Sequence, residues 1–224
     1  LMDGALSSIG LEPSTQESQT AAMLRDQLFV HGAFMGSADI LGFLAHQFES
    51  FLNGSPIAPD IFRGVVTTGA IRGGQEVLDA LLRRFETSGA EHERMTLAGA
   101  LGAFSQWPLL LQALDYSLEK VPDRIRFMPL VAATGNPAVL DRLWPWFEAN
   151  LPRLESMHPL LFERVVAAFV PLPGMQEADR TRSFCRQLQQ KHPRLKDTIA
   201  LSLERLEVND RFRRANSSEI EKST

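Results

Sequence analysis

The sequence is informative first in what it lacks. Among 224 residues there is one cysteine, Cys185. That excludes an intrachain disulfide and any cysteine-built metal centre. Lys and Arg number 23 against 27 Asp and Glu, a formal net charge of −4. Without a clustered basic excess, neither nucleic acid nor an anionic membrane surface is an expected partner. No apolar run approaches the roughly 18 residues that span a bilayer. The opening LMDGALSSIG has neither the basic start nor the long apolar stretch of a secretory signal. Leu1, where Met is usual, predicts a piece of a longer chain. The cysteine content favours the cytoplasm, and it also fits a disulfide-free secreted protein.

The familiar catalytic signatures are missing as well. A zinc peptidase helix needs two imidazoles one turn apart with a glutamate between them as base. The stretch HERMT begins that way with His92 and Glu93, but Thr96 stands where the second ligand belongs. The histidines are His31, His46, His92, His158 and His192, and none lies four residues from another. There is no G-x-S-x-G elbow, phosphate loop or dinucleotide fingerprint. His46 and Glu49 read as a surface pair on one helix face. Cys185, between Phe184 and Leu188, reads as a buried thiol. Asn53-Gly54-Ser55 and Asn216-Ser217-Ser218 match the glycosylation pattern, which carries weight only in a secretory setting.

What is present is helical periodicity from end to end. Val77, Leu78, Leu81, Leu82 and Phe85 form one stripe, and Ile61, Phe62, Val65 and Val66 another. Leu161, Phe162, Val165, Val166 and Phe169 repeat the pattern, as do Phe43, Leu44, Phe48, Phe51 and Leu52. No alternating stretch argues for a strand. Gly36-Ser37 reads as a C-cap followed by an N-cap. Gly69, Gly73 and Gly74 are expected to separate two helices. Pro122, Pro137, Pro159 and Pro193 are placed near helix starts, where a missing N–H costs little.

Helices are expected to begin near residues 14, 37, 58, 75, 90, 107, 123, 137, 159, 175 and 194. A helical hairpin of roughly 30 to 40 residues is the unit of HEAT and armadillo arrays. The fold class predicted is all-α: a right-handed superhelical array of antiparallel helix pairs, an α-solenoid. It occupies residues 1–214 as a single domain, with 215–224 a polar, disordered tail.

The stretch GNPAVLDRLWPWFEAN, residues 135–150, is the most unusual. Asn136 and Pro137 read as a helix start. Leu140, Leu143, Trp144, Phe147 and Leu151 form one apolar stripe, with Trp146 off it beside Val139, so the helix needs partners on two faces. Pro145 removes the hydrogen bond to the Asp141 carbonyl, which predicts a kink held by the buried tryptophans.

The order of these fragments resembles the C-terminal helical domain of gluzincin aminopeptidases, the group with the puromycin-sensitive, endoplasmic-reticulum and tricorn-interacting enzymes. The likeness runs from about Leu11 to Arg214. Glu17 followed by Met23-Leu24-Arg25 is similar to the family's opening helix. VVTTGA, then VLDALLRRFETSGAEHERMTLAGALGAF, resembles its glycine-containing turn and the two helices after it. SQWPLLLQALDYSLEK resembles the loop and helix that follow. The closest likeness is Asn136, Pro137, Trp144, Trp146, Phe147 and Asn150. The sequence departs from the family where Leu151 replaces a second tryptophan, where Pro145 replaces a polar residue and where Val139 replaces a glycine. The glutamine-containing stretch usual after the basic pair is here RIRFMPL.

The resemblance implies a non-catalytic domain of a zinc-dependent aminopeptidase that removes N-terminal residues from peptides. It implies a bowl capping the active site, with peptides and the catalytic domain of the same polypeptide as partners. The zinc, its ligands and the general base would lie in that other domain, leaving no cofactor, metal or catalytic residue in this chain. It also implies that Arg124 and Arg126, where the family carries a basic pair, meet the far end of a peptide. The competing expectation is a stand-alone helical-repeat scaffold that binds a partner protein.

Overall fold

The computed structural model describes residues 6, 8–14 and 16–220. Among them there is no strand. The helices, numbered here in chain order, are α1 Gln19–Phe34, α2 Ala38–Leu52, α3 Pro59–Arg72, α4 Gln75–Thr87, α5 Glu91–Leu101 and α6 Trp107–Lys120. They continue as α7 Phe127–Ala133, α8 Leu140–Ala149, α9 Leu151–Glu155, α10 Pro159–Phe169, α11 Ala178–Lys191 and α12 Lys196–Ile220. Three-residue or five-residue 3₁₀ turns, Asp123–Ile125, Pro173–Glu177 and Pro193–Leu195, precede α7, α11 and α12. The all-α class is therefore as the periodicity predicts. The chain forms two compact units, Leu1–Val121 and Pro122–Thr224. Helix α12 runs on through Ile220, into the segment expected to be a tail. Residues 221–224 lie outside the described ones.

In the first unit each helix packs on the next, and three also pack on the one after it: α1 on α3, α3 on α5, α4 on α6. That pattern is the one a stacked helical repeat produces. Helix α3 is enclosed by this arrangement, with Ile61, Phe62 and every residue from Gly64 to Ala70 buried. This corrects the reading of Gly69 as a helix breaker. It sits inside α3, and the Phe48 ring of α2 lies only 2.3 Å from where a Cβ would stand. The glycine is there so that the aromatic ring can reach the α3 backbone. The break falls at Gly73–Gly74, between α3 and α4. The turn after α1 follows the capping logic: Gly36 takes φ 76°, open to glycine, and Ser37 precedes α2. Helix α1 begins later than expected, at Gln19, because the Ser18 side chain accepts from the Ala21 N–H at 3.2 Å and caps it there.

In the second unit α10 packs on α7 and α12, while the turn Pro173–Glu177 packs on α8 and α11. Here the expected helix start at Asn136–Pro137 is corrected. Asn136 is buried and its Oδ1 accepts from the Ala138 N–H at 3.2 Å, so it closes a turn; the helix itself starts at Leu140. Three residues of turn are needed because Val139 takes φ −135° and must itself be buried. Pro145 does lie inside α8, which continues to Ala149 before the chain turns at Asn150 into α9.

Candidate functional site

The two sides of α8 are both covered, as its pair of apolar faces requires. Trp144 and Phe147 are fully buried and Trp146 nearly so. Trp144 stacks on Phe147 with centroids 5.3 Å apart and meets the edge of Phe184 of α11 at 5.4 Å. Trp146 stacks on Phe169 of α10 at 6.0 Å, and Phe147 on the same ring at 5.0 Å. Five aromatic rings from three helices therefore form one cluster. Neither indole N–H finds a partner among the described residues. The two tryptophans serve by packing and belong to the core, while Pro145 between them is exposed.

The residues suspected of chemistry are scattered. His92 is exposed in the first turn of α5. Glu93 beside it is committed to other partners, accepting from Arg84 Nε at 2.6 Å and from Ser88 Oγ at 2.5 Å. His46 and Glu49 are both exposed on α2. Among the described residues no group of three or more His, Cys, Asp or Glu side chains is arranged to hold a metal ion. Cys185 is fully buried, and that burial pushes its thiol up to about 12. Because the thiolate is the reactive form, a thiol-specific disulfide reagent at pH 8 should leave the folded chain untouched and titrate one thiol after denaturation. Rapid labelling of the native chain would show the thiol to be reached by solvent.

Arg124 and Arg126 lie at the start of the second unit. Ile125 between them is buried and anchors the turn. Arg124 is exposed. Arg126 is mostly covered and pairs with Asp123 at 2.8 Å, whose own side chain is 81% exposed. The structure thus brings both arginines to one turn, as their spacing suggests. It also gives Arg126 a carboxylate partner three residues earlier in the same turn.

Two ion-pair clusters escaped the sequence reading altogether. Arg25 has no exposed surface, yet it is fully engaged: Nη1 and Nη2 donate to the two Glu17 oxygens at 2.6 and 2.5 Å, Nη2 to the Ile9 carbonyl and Nε to the Gly10 carbonyl. Hydrogen bonds from Arg25 hold the Glu17 carboxyl below its ordinary range, and those to Glu17 raise Arg25 further. The Glu…Leu-Arg element that contributes to the family resemblance is thus a buried bidentate pair that ties residues 9 and 10 to α1. Its signal was available, since a carboxylate and an arginine eight residues apart flank a helix start. The second cluster had no local signal. Glu155 of α9 accepts from Lys191 Nζ at 2.6 Å and hydrogen-bonds His192 Nε2 at 2.7 Å, some 36 and 37 residues away. Partial burial works to raise the Glu155 carboxyl, but the Lys191 and His192 hydrogen bonds outweigh it and the net shift is downward.

Fold and site define a helical domain whose conspicuous residues are committed to packing and to internal ion pairs. The chain belongs to the ERAP1-like C-terminal domain family, whose sequence model matches residues 1–208. Among its relatives is the alanine/arginine aminopeptidase of Saccharomyces cerevisiae, 25% identical over 163 residues, which are 70% of this chain and 19% of that one. Aminopeptidase M1 of Arabidopsis thaliana is 22% identical over 216 residues, 92% of this chain and 24% of the relative. Probable aminopeptidase 2 of Sulfurisphaera tokodaii is 23% identical over 146 residues, 63% of this chain and 18% of its own length. The chain therefore spans about a fifth of the length of the relatives it matches.

Proposed function

We propose that this chain is the non-catalytic C-terminal domain of a zinc aminopeptidase, which caps the active site and helps enclose the cavity that admits peptides. The observation that carries the reading is the family match over nearly the whole chain, with relatives that are all called aminopeptidases. The residues support the division of labour. His92-Glu93 lacks a second imidazole one turn on, and Glu93 already serves Arg84 and Ser88. Zinc, the general base and the grip on the substrate's N-terminus belong to the rest of the polypeptide. What this domain contributes is packed helical surface and fixed charge.

Within that reading Arg124 and Arg126 meet the carboxylate at the far end of a long peptide. A peptide held by its N-terminus at the metal carries a charge at its other end, and an arginine fork is the geometric match for it. Arg124 stands exposed on the turn, and Arg126 donates to the exposed Asp123, a partner that a substrate carboxylate can replace. In the full-length enzyme, replacing both with Ala should raise KM roughly 5-fold to 20-fold for peptides of about eight residues or more, the size of one charge-assisted contact. Turnover of an aminoacyl anilide should not change, because a short substrate does not reach this domain. Equal losses on both substrates would overturn the assignment of these two arginines. Turnover by the 224-residue chain alone would overturn the division of labour.

A further inference from the structure

Where α2 ends and the first turns of α3 and α5 approach α4, the first unit carries an open groove of about 680 Å³. Its floor is apolar: Phe51, Ile57, Phe62 and Ala80. Phe51 meets the edge of Phe62 at 5.6 Å, which fixes both rings. The turn Gly54–Pro56 forms one wall. The rim carries two arginines, Arg83 and Arg84, with the His92 ring beside them. Arg84 is balanced, since its Nε is bound at 2.6 Å by Glu93. Arg83, one residue earlier, is exposed, and its guanidinium makes no hydrogen bond or ion pair among the described residues.

We propose that this groove is a binding site for a small monocarboxylate carrying an apolar body, such as an arylalkanoate. The carboxylate pairs with Arg83, His92 adds a ring N–H, and the hydrocarbon lies on Phe51, Ile57 and Phe62. The volume falls within the range of roughly 300–1,000 Å³ typical of small-ligand sites, which combine an apolar lining with a few polar groups. A planar guanidinium without a partner matches a carboxylate in two hydrogen bonds. The charge count selects a monoanion: Arg84 and Glu93 neutralise each other, which leaves the Arg83 guanidinium to meet a single negative charge. An inorganic anion would leave the floor uncovered, and a neutral hydrocarbon would leave Arg83 unpaired. The inference is independent of the aminopeptidase reading, because no part of the groove depends on a second domain.

The test is a titration of the isotope-labelled 224-residue chain, followed by amide chemical shifts, with 3-phenylpropionate, 3-phenylpropanamide and acetate as probes. For the acid, saturable shifts are expected along Phe51–Ile57 and Arg83–Glu93, with Kd on the order of 1 mM for so small a ligand. The amide and acetate should each bind at least about tenfold more weakly, the loss expected when either the charge or the apolar contact is missing. Arg83→Gln should weaken the acid by at least about fivefold, and Ala80→Leu should weaken it by filling the floor. Unchanged circular dichroism checks that both variants fold, which the exposure of Arg83 favours. Equal affinity for acid and amide, no effect of Arg83→Gln, or no saturation by about 20 mM would overturn the proposal. So would an acetyl-Phe-Glu-amide dipeptide that binds at least about tenfold tighter than the free acid, because the groove would then be one for polypeptide side chains.

Discussion

Trp144→Ala should cost about 3–5 kcal/mol of stability, the range for emptying a large aromatic site that cannot collapse. The site is poorly able to collapse because Trp144 is enclosed by Phe147, by the edge of Phe184 and by the backbone at Gly174, where a Cβ would stand 3.2 Å from the indole. Denaturant unfolding of the pure variant measures the loss. Two companion variants separate the causes. Trp144→Phe should retain most of the stability, since the indole N–H has no partner among the described residues and only packing is reduced. Pro145→Ala should be mild or stabilising, because it returns an N–H to the Asp141 carbonyl and removes a residue costing about 3 kcal/mol in an ordinary helix. If Pro145→Ala proves as damaging as Trp144→Ala, the backbone shape that Pro145 imposes is required and the packing account fails.

Arg25→Ala should be the second severe change, lowering the unfolding midpoint of the first unit by roughly 5–10 °C. The variant strips two backbone carbonyls and the Glu17 carboxylate of their donors in one step. Removing one member of a buried pair is costly because its partner is left without compensation. Adding Glu17→Gln to Arg25→Ala should therefore restore part of the loss, a coupling that a double-mutant cycle reads directly. The same pair has a pH signature. The folded-state Glu17 carboxyl titrates below its unfolded value, so its contribution is fully present above the unfolded value and disappears as pH falls through the folded one. Asp210, lowered by Arg214 and Arg213, and Glu155, lowered on balance by Lys191 and His192 against the effect of burial, act in the same direction. Stability should fall steadily as pH drops below about 4.5, and the Glu17→Gln variant should lose less of it. An Arg25→Ala midpoint equal to that of the parent chain would place the pair on the solvent-tolerant surface.

The sequence by itself determined the helical class and most of the punctuation. Apolar residues at helical spacing allow no other period, and glycine or proline at the breaks admits few alternatives, so α4, α6 and α10 begin at residues 75, 107 and 159 as expected. It determined that Cys185 would be buried and that His92-Glu93 lacks its second ligand, because both follow from neighbours within one or two turns. It suggested that the tryptophans of α8 need two partner faces. Only the tertiary structure decided what fills those faces. Phe169 and Phe184 lie on helices separated from α8 by other elements. Gly69 shows the same limit. Its local reading is a helix breaker, yet the Phe48 ring from another helix turns it into a packing position. The Glu155–Lys191 pair, the Asp123–Arg126 contact and the groove beside Arg83 likewise depend on where whole helices come to rest. Periodicity and capping are local properties of the chain, fixed by residues within a turn of each other. The partner that a side chain meets is fixed by packing between helices far apart in sequence, and that is where this protein's charges and its groove were assembled.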